Sequence, residues 1–282
     1  MSVKKKQKEF IFKMLKTIII LVVTIVFILP FLWMISTSFK APDEIFAAIP
    51  RWLPREFGFG NYVGIWSRPN FPVFIVNSII ISVITSIISL TVAVLSGYSI
   101  SRFKFRGRGF FSALLIIVQM FPSMLLLIPM FVIMQRLNLM DTHASMIIAY
   151  TTFAMPFCTW MLKGYFDTIP TSMEESARIE GCTRMGVLIR IIVPLSAPGI
   201  VTVSMFAFVL SWQEYLYALT FARTEAMRTI TVGIALMQGQ HGSVNWGEVM
   251  AGSLIACIPG LVLFTYLEKY LVQGFTMGAI KE

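Results

Sequence analysis

The chain has 282 residues, 57% of them hydrophobic and only 13% charged, with a mean hydropathy of +0.79. A soluble domain carries about 25% charged residues, so this density excludes a soluble globular enzyme, a disordered tail and a collagen-like rod, and points to a polytopic membrane protein. The net charge of +9 reads as membrane topology rather than nucleic-acid binding, because cytoplasmic loops collect Lys and Arg.

A basic N-terminus, 1–16, comes first. Six largely apolar stretches without Asp, Glu, Lys or Arg follow, at 17–39, 69–101, 109–135, 142–162, 191–213 and 249–267. About 20 such residues cross a hydrocarbon core about 30 Å thick. The first stretch stays apolar to Phe39 with no A-x-A site close behind, which reads as an uncleaved span rather than a signal peptide. The second opens on loop-like Pro69, Asn70 and Pro72 and is too short for two crossings and a turn, so it counts once. The expected fold is an all-α membrane protein with six transmembrane helices in one transmembrane domain, 17–272, and a cytoplasmic tail, 273–282. With the N-terminus inside, 16 of the 23 Lys and Arg fall on the cytoplasmic side. They include the clusters Lys4-Lys5-Lys6 and Arg102-Lys104-Arg106-Arg108, and the bias gives an N-in/C-in topology.

Between the first two spans, 40–70 carries interfacial aromatics, Trp52 and Trp66. Ser82, Ser86 and Ser89 share one face of the second span, which suits helix–helix contact or pore lining. The basic cluster from Arg102 to Arg108 is an orientation anchor or a contact with a partner. Pro122, Pro129 and Pro156 are predicted to kink their spans. Cys158, Cys182 and Cys257 lie far apart, and His143 and His241 stand alone, so no metal site and no disulfide frame is suggested. No catalytic constellation and no Walker A sequence occurs, so the chain is not expected to be an enzyme, and energy for transport comes from a partner or an ion gradient.

The larger inward loop, 163–197, carries the strongest pattern. Thr171 or Ser172 is predicted to cap a helix with Glu174 and Glu175 in its first turn, where the helix dipole favours anions. Glu174 and Arg178 are four apart and can pair. Ser176, Ala177 and Gly181 form a small face that another surface can approach closely. Gly181 interrupts the helix, and Thr183 can cap a second one running towards Pro194. The expected unit is a cytoplasmic helix-turn-helix between spans four and five.

This stretch resembles the EAA signature of ABC importer permeases: E-A-A, three residues, Gly, nine residues, then I-x-L-P. Glu175, Ala177, Gly181, Ile191 and Pro194 fit it, with Ser176 and Val193 as departures. GYSISRFKFRGRG at 97–109, FPSMLLLIPMF at 121–131, LNLMDTH at 137–143 and SWQEYLYAL at 211–219 are similar to the sugar-type permeases, such as the second membrane subunit of maltose importers. The resemblance implies a permease subunit for a sugar or oligosaccharide in a bacterial inner membrane. It implies a second six-span permease, two cytoplasmic ATPase subunits that bind ATP and Mg, and an extracytoplasmic solute-binding protein, with no cofactor on this chain and no nucleic acid. It also implies that Glu174, Glu175, Ala177, Arg178, Gly181, Ile191 and Pro194 belong to a coupling loop docked into the ATPase. The tail GFTMGAIKE either reaches the ATPase dimer or frays. The competing readings are an ABC importer of a non-sugar solute and an ion-gradient secondary transporter.

Glu214 stands out as the acidic residue within a span. Counted from Pro198 it lies about 24 Å along a helix, so it should face protein or a water-filled cavity. With Trp212, Gln213 and Tyr215 it offers aromatic and hydrogen-bonding groups suited to sugar hydroxyls. The alternative is that Glu214 pairs with a basic group at a subunit interface or snorkels outward.

Overall fold

A computed structural model describes residues 3–237 and 244–279. Every regular element among them is helical, as expected where the bilayer leaves backbone groups no water to bond. In chain order the main helices are α1 (Val3–Ser38), α2 (Phe71–Arg102), α3 (Arg108–Met120), α4 (Leu127–Arg136), α5 (His143–Thr168), α6 (Thr171–Ile179), α7 (Ala197–Trp212), α8 (Leu216–Phe221) and α9 (Trp246–Ala279). Among the described residues, four segments are long and apolar enough to cross a membrane: Lys8–Ser38, Phe71–Arg102, His143–Thr168 and Trp246–Tyr270. Two further runs are bent pairs, Arg108–Met120 with Ser123–Arg136 at 96° and Arg184–Leu195 with Ala197–Trp212 at 83°. The count of crossings is therefore four, or up to six if each bent pair is one span.

The bends follow from proline chemistry. At the first, Phe121 and Pro122 are extended, with ψ of 124° and 120°. A proline forces its predecessor out of the helical region and offers no N–H. The second bend falls at Ser196, flanked by Pro194 and Pro198. Pro156, by contrast, sits inside an unbroken α5. The runs 109–135 and 191–213, each counted as one span, are thus each broken, the first at the Pro122 expected to kink it.

By its internal contacts the chain forms two compact units, one from 1–69 with 236–255 and the other from 70–235 with 256–282. In the first, the apolar residues of α1 from Phe10 to Ile35 are largely exposed, while Ser36, Thr37, Ser38 and Lys40 are buried. The end of α1 is tied down locally. Asn61 donates its amide to the carbonyls of Ser38 and Lys40 at 2.9 and 2.8 Å, satisfying acceptors that a helix terminus leaves free. The α9 backbone approaches closely at Gly247, where a Cβ would lie 2.4 Å from the Asn61 side chain. Burial lowers the pKa of the Lys40 ammonium, and the charge of Glu44 opposes that shift.

In the second unit α2 packs along α5. At Gly97 an added Cβ would lie 3.2 Å from the Lys163 nitrogen and the Thr159 carbonyl oxygen, so glycine sets the backbone separation. Ser82 and Ser89 are fully buried, and Ser86 donates to the Ser204 carbonyl at 2.8 Å. This serine face therefore serves helix–helix contact. Ala93, Tyr98, Cys158, Leu162, Phe166, Ala177, Val187 and Val203 share one apolar cluster, which joins α2, α5 and α7 to the 171–192 loop.

Candidate functional site

The loop after α5 is built much as its residues dictate, with three differences. Helix α6 ends in the hydrogen-bond pattern that a glycine stop produces. Cys182 N–H donates to the Ala177 carbonyl at 3.0 Å and Gly181 N–H to the Arg178 carbonyl at 3.1 Å. Gly181 has φ +91°, which L side chains rarely adopt. Thr183 then accepts from Gly186 N–H at 3.1 Å and starts the next short helix, Arg184–Val187. The first difference is at the start of α6. Pro170 occupies its cap position and neither Thr171 nor Ser172 caps it with a side chain, because the extended proline already sets the direction of approach. The second is Ala177, which is 6% exposed and packs into the core, so it does not share an outward small face with Ser176 and Gly181.

The third difference concerns Glu174, which turns inward, 8% exposed, and does not meet Arg178. Its carboxylate forms an ion pair with Arg102 Nε and accepts from the Tyr98 hydroxyl at 2.8 Å. Arg102 also donates to the Ile169 carbonyl at 2.8 Å. Beside them Ser101 donates to Asp167 at 2.6 Å, and Asp167 pairs with Lys163 at 2.6 Å. Four polar contacts, from Tyr98 and Arg102 to Glu174, from Arg102 to Ile169 and from Ser101 to Asp167, thus fasten the end of α2 to the end of α5 and to α6. Facing outward are Glu175, Arg178, Gly181 and Ile179, the last 88% exposed. Further on, Ile191 is partly buried and Pro194 exposed.

A second feature lies beside the bend after α3. A cavity of about 720 Å³ is lined by Gln119, Ser123, Gln213, Glu214, Tyr215 and Tyr217, with Phe153, Phe157 and Phe206 among its apolar walls. Its volume lies within the roughly 300–1,000 Å³ of small-molecule sites. Helix α7 stops at Trp212, so Glu214 stands in a break rather than in the helix. Its two carboxylate oxygens accept from Tyr217 N–H at 2.9 Å and Ala218 N–H at 3.0 Å. These are donors that the start of α8 leaves free, so the carboxylate caps it. Tyr217 donates its hydroxyl to the Ser123 carbonyl at 2.7 Å, fixing α8 to the bend. Trp212 does not line the cavity; its indole donates to the Ala256 carbonyl at 3.1 Å.

Residues 89–277 match the family described as binding-protein-dependent transport system inner membrane component. The chain is 34% identical over 252 residues to the sulfoquinovosyl glycerol transport system permease protein of Agrobacterium fabrum, covering 89% of this chain and 88% of that one. It is 34% identical over 277 residues to the trehalose/maltose transport system permease protein of Thermococcus litoralis, covering 98% and 99%. The chain belongs to the sugar-type permeases of binding-protein-dependent importers. The permease also shares its fold with a chain in the crystal structure of a bacterial ABC transporter involved in import of the acidic polysaccharide alginate. There the TM-score is 0.82 at 21% identity, covering 96% of the permease and 98% of that chain. It is thus an all-helical, multi-pass membrane protein, and its relatives are permease subunits of transporters.

The sequence pattern missed two parts of the permease. Tyr98 reads as one more apolar residue of a span, and Arg102 as part of a basic cluster, because their shared partner lies in a distant segment. Phe153 and Phe157, one turn apart on α5, read as ordinary apolar residues of a span, because the polar groups that share their cavity lie in distant segments. Among the described residues no cluster of His, Cys, Asp or Glu could hold a metal ion. The end of the tail, 280–282, lies outside the described residues.

Proposed function

We propose that this permease forms half of the translocation path of an ATP-driven importer for a sugar or oligosaccharide in a bacterial inner membrane. It crosses six times with both termini inside, each bent pair counting as one crossing. The α6–Gly181–Thr183 turn then lies in the cytoplasm and docks on an ATPase subunit. The outward-facing Glu175, Arg178, Ile179 and Gly181 offer charge, an exposed apolar side chain and open space to that partner. Two such ATPase subunits bind ATP and Mg, a second six-span permease supplies the other half of the path, and an extracytoplasmic binding protein delivers the sugar. When ATP brings the ATPase subunits together, the loop moves, and the spans exchange an inward-open for an outward-open arrangement.

The observation that carries this reading is the buried tie from Glu174 to Arg102 and Tyr98. It joins an EAA-like turn to the end of a spanning helix, which is the linkage that mechanical coupling requires. The 720 Å³ cavity supports a sugar cargo, because it sets amide, hydroxyl and carboxylate groups among aromatic walls. The names of the two relatives at 34% identity point to glycosidic cargo as well.

The test is reconstitution. The permease is co-expressed with candidate ATPase, second-permease and binding-protein subunits, and placed in liposomes with radiolabelled maltose, trehalose, amino acids or peptides. Uptake of a saccharide that needs enclosed ATP is expected. Uptake driven by an ion gradient without ATP, or uptake of amino acids or peptides alone, overturns the reading. Maleimide labelling of Cys182 from the cytoplasmic side only checks the topology.

A further inference from the structure

We propose that a second, smaller cavity, of about 270 Å³ at the end of α1, is a subsite for one pyranose ring of a neutral saccharide. The proposal rests on the reading of the permease as a sugar importer, in which the 40–70 segment faces the extracytoplasmic side. The cavity belongs to the unit formed by 1–69 and 236–255, and no part of the 720 Å³ cavity contributes to it.

The walls are fixed before any ligand arrives. Asn61 holds the Ser38 and Lys40 carbonyls, and Gly247 lets α9 press against Asn61. Into this frame are set Trp33, Thr37, Lys40, Glu44, Arg51 and Trp246. Lys40 is 3% exposed. Its ammonium donates to the Arg51 carbonyl at 2.6 Å and lies 4.1 Å from the centre of the Trp33 ring. An ammonium has three donors, and Lys40 forms no ion pair among the described residues. Thr37 is 4% exposed, and its hydroxyl has no hydrogen-bond partner among the described residues. Buried hydroxyls nearly always have one. Glu44 accepts from Arg55 N–H with both oxygens, at 3.2 and 3.0 Å, and a carboxylate has about four acceptor positions.

The chemistry of these walls selects the ligand. A free donor at Lys40, a donor–acceptor at Thr37 and a spare acceptor at Glu44 call for a molecule that both gives and takes hydrogen bonds. The Trp246 indole, and the part of the Trp33 indole that the Lys40 ammonium leaves open, call for an apolar face to cover. An anion such as a phosphate headgroup would meet Lys40 and Arg51, but it would also meet the Glu44 charge and leave the indoles without an apolar face to cover. A lipid tail would leave the Thr37 hydroxyl without a partner and the remaining donors of Lys40 unused. A pyranose ring has hydroxyls around its rim and C–H groups on its faces, so it meets every demand. The volume falls below the roughly 300–1,000 Å³ of drug-sized sites, which fits one ring and not two.

The test uses the full-length permease in lipid nanodiscs, without its partners. Methyl α-D-glucopyranoside, methyl β-D-galactopyranoside and inorganic phosphate are the probes, read by saturation-transfer NMR for the glycosides and by competition for phosphate. At least one glycoside is expected to bind in the millimolar range, with affinity at least fivefold weaker in Trp33→Leu and in Thr37→Val, and with no competition from phosphate. Thr37→Val is nearly isosteric, so it carries the comparison if Trp33→Leu does not fold. Absence of binding by both glycosides, equal binding in both variants, or displacement by phosphate overturns the subsite. Liposome uptake is scored separately. Sugar uptake without glycoside binding sinks the subsite alone, whereas glycoside binding in an importer that carries no saccharide sinks the transport reading and leaves the subsite standing.

Discussion

Arg102 and Glu174 stand 72 residues apart in sequence and meet as an ion pair, each side chain only 10% exposed. One closes a spanning helix and the other lies in the first turn of α6. A pair this buried costs several kcal/mol per ion to desolvate, so its net gain in stability is small. What it provides is registration. Helix α6 cannot tilt without drawing on the end of α2, and Tyr98 and the Ile169 carbonyl satisfy the remaining valences.

Removing one partner leaves the other buried and unpaired. Arg102→Met and Glu174→Met are each expected to destabilise the permease by about 3–5 kcal/mol. The double variant Arg102→Met/Glu174→Met should recover most of that loss, because well-packed apolar groups can replace a buried pair at little cost. Thermal melts of the purified complex check this. Transport separates the roles: the recovered double variant should still hydrolyse ATP, but the loaded binding protein should no longer stimulate it. Normal stimulation in a stable double variant would show that the tie is structural only.

Gly181 permits a second separation of strain from contact. At φ +91° an L side chain is strained, yet nothing lies within 4 Å of an added Cβ. Gly181→Ala should therefore cost about 1–2 kcal/mol through the backbone alone and retain transport. Gly181→Trp carries the same strain and also projects a large ring into the space that the proposed ATPase contact needs. Uptake should fall to background while expression and melting match the alanine variant. Near-normal uptake by a well-folded Gly181→Trp would refute docking at this turn.

What could be read in advance depended on range. The apolar runs, the stop at Gly181 and the cap at Thr183 are written within a few residues, and the structure has them. Pro122 marked its bend for the same reason. The Glu174 partnership was not legible: a local rule offers Arg178 four residues away, while burial of that face selects Arg102. Glu214 failed differently. Counting helix rise from Pro198 assumed a helix continuing to 214, but α7 ends at Trp212, and the carboxylate then satisfies backbone donors of α8. Trp212 and Gln213 were singled out together, yet one points to α9 and the other lines the cavity.

Glu214 both caps α8 and borders the larger cavity, and two variants distinguish these duties. Glu214→Gln keeps one acceptor oxygen for the Tyr217 and Ala218 N–H groups, so a loss of about 1 kcal/mol is expected. Glu214→Ala loses both bonds, at about 1–2 kcal/mol. If the cavity carries the sugar, Gln213→Leu, which leaves the cap intact, should raise the KM for uptake several-fold with little change in melting. An unchanged KM in a folded Gln213→Leu permease would remove this cavity from the path.

Asp141 offers a pH dependence whose sign is fixed by geometry. It lies between α4 and α5, outside the spanning segments, with φ +60°. Burial alone would raise its pKa. The Thr224 N–H and hydroxyl at 2.9 and 2.8 Å, the Arg223 N–H at 2.8 Å and the Arg223 charge outweigh that and hold the carboxyl below its ordinary value of 3.8. A depressed folded-state pKa means the stabilisation is fully present above the ordinary value and is lost as pH falls through the folded one. From pH 5 to 8 this group should therefore contribute no slope, and below about pH 4 the melting temperature should fall. Asn tolerates the left-handed backbone, so Asp141→Asn removes the charge without added strain. It should melt lower than the parent at pH 7, by about 1 kcal/mol or less given the site's exposure, and the gap should close towards pH 3. A gap that stays constant from pH 7 to pH 3 would mean that the ionised carboxylate does not hold the 221–224 segment in place.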